Sequence, residues 1–339
     1  MNVWPKNADK KMPLIDLHRH LEGSFRLQTI IDLAQRHHLK LPGNTLETLK
    51  PFVQITEPQP GVMAFINKIK QAIEILFDYE ACRRVARECV EDAHASGLDY
   101  LELRFSPWFM AKPHHLSAEG VVEAVLDGVE ATSLRTNLKV NLIGILSRTY
   151  GPEVAWHELK ALLMYKEKIV ALDLAGDEAN YPGELFSDHF HAAREAGWQI
   201  TIHAGESAGA ESIWQAIRDL GAKRIGHAVR AIEDPRLMEY MAENKIGIEA
   251  NLTSNLQTST VPDYSSHPLR VYLKEGLQAT INTDDPITSG IDLAYEYDYA
   301  APRAGLELPM IHQAQVNALN IAFLSEEDKI ALLHKRTAA

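Results

Sequence analysis

The sequence predicts a (β/α)8 barrel, an α/β fold in which helices enclose eight parallel strands. Eight β-rich segments lie along the 339-residue chain, and amphipathic helical patterns separate most of them. From the second segment onward the repeat is about 23 to 40 residues, the size of a strand with its returning helix. Alternating strands and helices imply a parallel sheet, and eight such units can close into a barrel.

The predicted strands are short apolar runs, most of which end in polar or charged residues. Amphipathic patterns such as "VAWHELKALLMYKEK" and "AESIWQAIRDLG" lie between them. An open doubly wound sheet is the alternative fold, but no G-x-G-x-x-G follows the first strand, which removes the usual dinucleotide site of that fold. The predicted strands occupy residues 14–18, 100–106, 140–148, 170–175, 199–204, 224–227, 246–251 and 278–283.

One long gap, residues 24–97, separates the first two predicted strands. It contains the Pro-rich run "PFVQITEPQPG" and the helical run "VMAFINKIKQAIEILF". Because this is too long for a single crossover, we expect part of it to form an inserted helical cap near the barrel mouth. More helices follow strand eight, and residues 1–339 are predicted to form one barrel domain. The apolar side of the cap helix could cover a ligand or only pack in the core: Val62, Phe65, Ile66 and Ile69.

The composition is that of a globular protein without a polyanionic partner. Apolar residues make up 46% and charged residues 24% of the chain, and the formal charge is −12 with no basic run. We therefore expect a neutral or cationic small molecule as partner, and no nucleic acid. No apolar stretch reaches the ~20 residues of a membrane span, and the polar start "MNVWPKNADKKMP" is no secretory signal, so we expect a cytoplasmic protein. No motif predicts an oligomeric state.

Two histidine pairs share the H-x-H spacing but differ in predicted structure. His18 and His20 end the first strand, where the two-residue side-chain period points both imidazoles the same way. His189 and His191 lie in a helical pattern, where two residues correspond to about 200° of rotation. Only the first pair can converge on one ion, and the second is interpreted as surface or packing residues.

Polar and charged side chains stand at the C-terminal ends of all eight predicted strands. Enzymes with this fold build their sites at that face of the barrel, so the sequence predicts a site there. In strand order these residues are His18, His20 and Glu22; Arg104 and Ser106; Arg148; Asp173, Asp177 and Glu178; His203 and Glu206; His227; Asn251 and Ser254; and Asp284 and Asp285.

Three of these histidines and one carboxylate form a suitable ligand set for a divalent transition metal, with zinc as the expected ion. Zinc held in this way lowers the pKa of a coordinated water to about 7. Each of these residues, taken singly, also has a purely structural interpretation. A histidine at a strand end is usually a core residue, and "DDP" is often a helix N-cap followed by Pro. The prediction depends on the joint occurrence, at separate strands, of His18, His20, His203 and Asp284.

Three residues at this face are expected to take part in catalysis. His227 and Asp285 are placed to hydrogen-bond the water and to orient or deprotonate it. Glu206, on the turn after a predicted ligand, can protonate a heteroatom of the substrate, although it could instead serve only the first turn of the next helix. Such a site attacks an electrophilic carbon and expels a leaving group.

The motifs at these strand ends resemble those of one enzyme family. From about Pro13 to its end the chain is similar to the adenosine deaminases, zinc-dependent barrels of the amidohydrolase superfamily. The resemblance implies one zinc ion per chain and the hydrolysis of adenosine, and of deoxyadenosine, to inosine or deoxyinosine and ammonia. It rests on "HRHLEG", "LELRFSP", "ALDLAGDE", "TIHAGE", "RIGHAV" and "INTDDP", each at its expected strand.

The resemblance also implies a role for each site residue. It implies that the four ligands above hold zinc. It also implies that Glu206 transfers a proton to N1 of the purine and that His227 assists the water. It places Glu22 toward the ribose and the backbone of Gly176 toward the ring. The implied substrate contacts are His20, Glu22, Gly176 and Asp285.

Two departures from the family pattern keep alternatives open. Glu22 stands where adenosine deaminases more usually have Asp, and the "HLEG" form resembles deaminases of the free base adenine. Ala228 replaces the second Gly of the more usual "GHG". Because "RFSP" and "LAGDE" resemble the nucleoside enzymes, adenosine is the expected substrate and adenine the alternative.

Other functions carry signatures that this sequence lacks. Binuclear enzymes on this barrel commonly bridge two metals through a modified Lys at the end of strand four, where "LDLAGDE" has none. Cytidine-type deaminases need P-C-x-x-C, which is also missing. An inactive purine-binding protein would be expected to lack Glu206 or a metal ligand, yet all of these are present.

Overall fold

Eight parallel strands, each paired with the next in chain order, form the centre of the computed structural model, which describes residues 4–337. The last strand returns to the first through two backbone hydrogen bonds of 2.8 Å, from His20 N–H to Asp284 O and from Asp284 N–H to His18 O. These features confirm the predicted (β/α)8 barrel. The strands are β1 Ile15–His20, β2 Tyr100–Phe105, β3 Lys139–Ser147, β4 Ile169–Ala175, β5 Gln199–Ala204, β6 Arg224–His227, β7 Gly247–Ala250 and β8 Gln278–Ile281.

Helices surround these strands, and four of them lie between β1 and β2. They are α1 Leu27–Arg36, α2 Leu46–Val53, α3 Val62–Ile73, α4 Tyr79–Ala95, α5 Pro107–Ala111, α6 Ala118–Thr136, α7 Gly151–Leu163, α8 Ser187–Glu195, α9 Ala210–Arg218, α10 Pro235–Glu243, α11 Leu252–Gln257, α12 Leu269–Lys274, α13 Pro286–Ser289, α14 Leu293–Tyr295, α15 Ala301–Arg303, α16 Leu308–Ile321 and α17 Glu326–Thr337. Within residues 4–337, none of the helices combines the length and apolar character needed to cross a membrane.

The predicted strand boundaries lie within two residues of the observed ones, and β5 and β6 agree at both ends. The first strand continues past its predicted end at residue 18, because Arg19 still pairs with β2 and with Asp284. The last strand stops before its predicted end, and Asp284 then takes a left-handed backbone with φ of 61°. This backbone turns the chain at the point where a predicted ligand enters the site.

Ion pairs lie in the interior of the barrel, where side chains from different strands meet. The guanidinium of Arg104 contacts Asp173 at 2.8 Å and Glu249 at 2.7 Å, and all three side chains are fully buried. Arg224 bonds the other oxygen of Glu249 at 2.7 Å and also pairs with Glu102. The floor below the C-terminal face is therefore a network of paired charges, while aliphatic side chains fill the space between strands and helices.

Candidate metal and catalytic site

Four side chains from both ends of the chain and from its middle converge at the C-terminal face. One ligand atom from each of His18, His20, His203 and Asp284 lies within 4.8 Å of the others. Asp284 Oδ1 is 3.1 Å from His18 Nε2 and 3.3 Å from His20 Nε2. The structure thus brings together the four residues that the sequence predicts as ligands.

These donors suit a transition metal. His20 Nε2 and His203 Nε2 face each other at 3.2 Å. His18 Nε2 is buried and makes no hydrogen bond to any residue in 4–337. Imidazole nitrogens that point at one another and at a carboxylate are the arrangement a cation would satisfy, and three imidazoles with one carboxylate match the preference of zinc.

Two buried carboxylates orient the imidazoles from behind. Glu249 Oε2 lies 2.7 Å from His18 Nδ1, and Asp173 Oδ2 lies 3.0 Å from His203 Nδ1. Burial alone would raise the pKa of Glu249, but the charges of Arg104 and Arg224 hold it well below its usual range. Because an ionised carboxylate accepts the Nδ1 proton, each Nε2 is left free for a ligand, the usual arrangement behind metal-bound histidines.

Glu206 is buried beside this cluster and is held by its neighbours. Burial foremost, and then the charges of Asp284 and Glu178, raise the pKa of Glu206 well above its usual value. Its turn is fixed by Glu178, whose carboxylate accepts the backbone N–H of Gly205 at 2.6 Å and of Ser207 at 2.8 Å. A carboxyl that keeps its proton in a buried, fixed position can act as a general acid.

Asn255 links Glu206 to His227. Its amide donates to His227 Nδ1 at 3.0 Å and to Glu206 Oε1 at 3.3 Å. His267 accepts the N–H of Leu269 at Nδ1 and therefore donates from Nε2 to Asn255 Oδ1 at 3.2 Å, which fixes the orientation of the amide. The proton of a neutral His227 then resides on Nε2, which lies 3.8 Å from Asp284 Oδ2. Burial lowers the pKa of His227 well below its usual value, so the neutral form is favoured.

Each of two carboxyl groups beside the cluster has an oxygen atom that makes no hydrogen bond within residues 4–337. Glu22 accepts the Ser106 N–H at 2.7 Å through Oε1, while its Oε2 is buried and makes no hydrogen bond to the described residues. Burial raises the pKa of Glu22 to about 7. Asp285 Oδ1 is similarly buried without a partner in this part of the chain. Gly23 makes room for Asp285, because a Cβ at Gly23 would lie 1.8 Å from Asp285 Oδ1.

A cavity of about 800 Å³, measured with its open mouth, connects these groups. Gly176 forms part of its wall with φ of 115°, and a Cβ there would lie 2.4 Å from Thr149 Oγ1. Of the nine residues predicted as metal ligands, catalytic groups or substrate contacts, all except His18 line the cavity, and His18 lies fully buried behind it. Helix α3 contributes an apolar wall of Val62, Met63, Phe65, Ile66 and Ile69.

The other histidine pair lies outside this site, as the helical spacing predicts. His189 is buried on α8, where its ring stacks on Trp156 at 4.2 Å between centroids and hydrogen-bonds Pro152 O at 2.9 Å. His191 is exposed and faces Glu195 one turn away. Neither belongs to the four-donor cluster found within residues 4–337.

A family model described as adenosine deaminase matches residues 13–338, nearly the whole chain. The chain belongs to the adenosine deaminase family. An adenosine deaminase of Edwardsiella ictaluri is 57% identical over 96% of this chain and 97% of its own length. One from Proteus mirabilis is 54% identical over 96% of this chain and 98% of its own length.

A solved structure shares the fold at lower identity. It is an adenine deaminase of Arthrobacter aurescens, 24% identical, with a TM-score of 0.88 over 96% of this chain and 98% of that one. At this identity the likeness concerns the fold alone. It confirms that this member of the adenosine deaminase family has the barrel architecture predicted from its strands and helices.

Several residues of the site were not given a role by sequence reasoning. Glu249 lies inside β7, not at its end, and its signal is a charge within an otherwise apolar strand. Asp173 and Glu178 are recognisable from the sequence as residues near a strand end, but nothing in the sequence indicates which groups they contact. Asn255 gave no signal, because an amide in a short polar segment is typical of any turn. Ala228 has φ of 52°, which explains why glycine is more usual at this position.

Proposed function

We propose that this chain catalyses the hydrolysis of adenosine, and of 2′-deoxyadenosine, to inosine or 2′-deoxyinosine and ammonia. Relatives above 50% identity over nearly the whole chain are adenosine deaminases. The observation that carries the proposal is that Glu206, a buried carboxyl with a raised pKa, lines the same cavity as three of the four donors, His20, His203 and Asp284. That combination pairs a general acid with a metal site, as hydrolytic release of an amine requires.

We propose one zinc ion per chain, held by His18, His20, His203 and Asp284. When bound, zinc supplies Lewis-acid activation of water at neutral pH. The fixed protonation of the imidazoles supports this assignment, because Glu249 and Asp173 hold the Nδ1 protons of His18 and His203. The cavity leaves space for a nucleoside beside the four proposed ligands.

The side chains around the cluster handle the protons. Glu206 donates its proton to N1 of the purine, which makes C6 more electrophilic. The oxygen of water adds to C6, while the Nε2–H of His227 and the carboxylate of Asp285 orient the water and Asp285 takes up its proton. The amino group takes the proton from Asp285 and leaves C6 as ammonia, while the remaining hydroxyl proton passes to Glu206 and the oxygen becomes the C6 carbonyl of inosine. The balance is one nucleoside and one water giving one inosine and one ammonia.

Glu22 and Gly176 position the substrate in this proposal. Glu22 lines the cavity, and its Oε2, which makes no hydrogen bond to residues 4–337, would accept a ribose hydroxyl. The backbone at Gly176 approaches the purine ring, which the lack of a side chain permits. Helix α3 closes over the ring with its apolar side and excludes water, so the segment around residues 24–97 acts as a cap over the barrel mouth.

The test compares two substrates in one assay. Purified protein loaded with zinc is mixed with adenosine and then with adenine, and the loss of absorbance near the adenine band is followed. Fast turnover of adenosine, loss of activity with a chelator and recovery with zinc are expected. Preference for adenine would replace the proposal by deamination of the free base. Stoichiometric zinc without ammonia release from either compound would indicate a binding protein.

A further inference from the structure

Two serines of the cavity wall and a glutamate buried behind them form a chain of hydrogen bonds. Ser106 Oγ lies 2.6 Å from Glu158 Oε1 and 2.7 Å from Ser147 Oγ. Ser106 and Ser147 line the cavity, whereas Glu158 is fully buried on α7 behind them. None of these three residues has a part in the proton transfers described above.

Glu158 fixes both serines at once. Its Oε2 accepts the Ser147 N–H at 2.7 Å, and its Oε1 also accepts the Trp108 N–H at 3.3 Å. Ser106 Oγ in turn accepts the Phe109 N–H at 3.1 Å. The oxygen of Ser106 is therefore occupied on every side by protein groups, and its hydroxyl cannot turn toward a ligand without breaking one of these bonds.

Ser147 differs from Ser106 because its hydroxyl has capacity to spare. A serine hydroxyl can donate once and accept twice, and within residues 4–337 the Oγ of Ser147 bonds only to Ser106. The side chain lies on the cavity wall at the end of β3. Ser106 also joins it to Glu22, whose Oε1 accepts the Ser106 N–H at 2.7 Å. Ser147 and Glu22 are thus both hydrogen-bonded to Ser106.

We propose that Ser147 hydrogen-bonds a hydroxyl of the substrate's sugar, and that Glu158 acts as a positioning residue that holds Ser147 through Ser106. The inference rests on the proposed nucleoside reaction and adds a second sugar contact beside Glu22. A sugar hydroxyl fits because it can donate or accept. Because Ser106 donates its only hydroxyl proton to Glu158 Oε1, Ser147 donates to Ser106, and the acceptor capacity left on Ser147 matches a sugar hydroxyl that donates.

The experiment removes the two partners separately. The values of kcat and KM are measured for the zinc-loaded wild type and for Ser147→Ala on adenosine and on its 2′-, 3′- and 5′-deoxy analogues. Ser147→Ala should lower kcat/KM for adenosine about 3- to 10-fold, the loss of one neutral hydrogen bond. It should leave unchanged the one analogue that already lacks the contacted hydroxyl. Ser133→Ala, on α6 with its hydroxyl bonded to Leu138 O, is the matched control and should change no ratio.

A second variant separates positioning from simple structure. Glu158→Gln keeps the size of the side chain but changes its hydrogen bonding to Ser106 and Ser147. It should cause the same analogue-selective loss, and the double variant with Ser147→Ala should show no further loss of selectivity, because Glu158 acts through Ser147. Thermal unfolding of each variant checks that it is folded. If Glu158→Gln does not fold, the Ser147→Ala series still decides the sugar contact.

Two results would overturn the inference. If Ser147→Ala lowers kcat/KM equally for all four nucleosides, or for none, Ser147 makes no sugar contact. If the two substitutions add fully, Glu158 does not act through Ser147. A wild type that turns over none of the four nucleosides would instead contradict the proposed function, so the two failures are distinguishable.

Discussion

Replacing Arg104 by Lys should weaken zinc binding without unfolding the barrel. The guanidinium of Arg104 reaches Asp173 at 2.8 Å and Glu249 at 2.7 Å, and each carboxylate orients one imidazole of the proposed site. A lysine ammonium keeps the charge but lacks the planar fork that holds two carboxylates in fixed directions. One imidazole then loses its fixed orientation.

Substitution of a group that orients metal ligands typically lowers metal affinity about 10- to 100-fold. We therefore expect Arg104→Lys to lower the affinity for zinc by this factor, or about 1.4 to 2.7 kcal/mol. Metal-free protein is titrated with zinc against a chromophoric chelator, and urea unfolding of the metal-free form reports the stability of the fold. Activity is not needed for this measurement, so a loss of turnover cannot be mistaken for a loss of metal.

Arg224→Lys is the matched control. Arg224 is equally buried and bonds the other oxygen of Glu249, but its second partner is Glu102 and not Asp173. We expect it to lower the free energy of unfolding of the metal-free protein with a smaller effect on zinc. Equal weakening of zinc by both variants, or unchanged affinity in a folded Arg104→Lys, would refute the bridging role of Arg104.

Three more changes test other parts of the site. Glu206→Gln should keep zinc and substrate affinity but lower turnover by about 10² to 10⁴, the range for a lost general acid. Glu22→Ala should cost about 1.5 to 3 kcal/mol in transition-state binding of adenosine, the range for a charged hydrogen bond, and almost nothing for a purine without ribose. Ala228→Gly relieves a left-handed backbone, whereas Ala216→Gly lies within α9. The decrease in the free energy of unfolding, measured with urea, should therefore be about 1 kcal/mol smaller for Ala228→Gly than for Ala216→Gly.

Each of these predictions has a result that contradicts it. Loss of zinc in Glu206→Gln would make Glu206 a ligand and not an acid. Equal weakening of adenosine and of a ribose-free purine by Glu22→Ala would remove the ribose contact; its urea stability is measured in parallel, because the Ser106 N–H loses its acceptor. A larger loss in Ala228→Gly than in Ala216→Gly would mean that the left-handed backbone carries no strain.

The sequence contained enough to predict the barrel and the four converging side chains. The two-residue side-chain period of a strand is a local property, and the position of barrel sites at strand ends follows from the topology. The sequence alone therefore predicts that His18, His203 and Asp284 lie close together. The supporting contacts could not. Asp173 and Glu249 reach Arg104 across the barrel interior, and no spacing along the chain encodes which carboxylate meets which guanidinium.

The closure of the barrel joins the beginning of the chain to its end, since Leu17 N–H bonds the Asn282 side chain 265 residues later in the sequence. On a ribosome that adds about 5 to 20 residues per second, these two strands are made roughly 13 to 53 s apart. During that interval His18 and His20 have no Asp284 to complete their ligand set. The complete ligand set of the proposed zinc site therefore forms only after synthesis of the final strand, and zinc bound there would reinforce a contact of high sequence separation, a kind that forms slowly during folding.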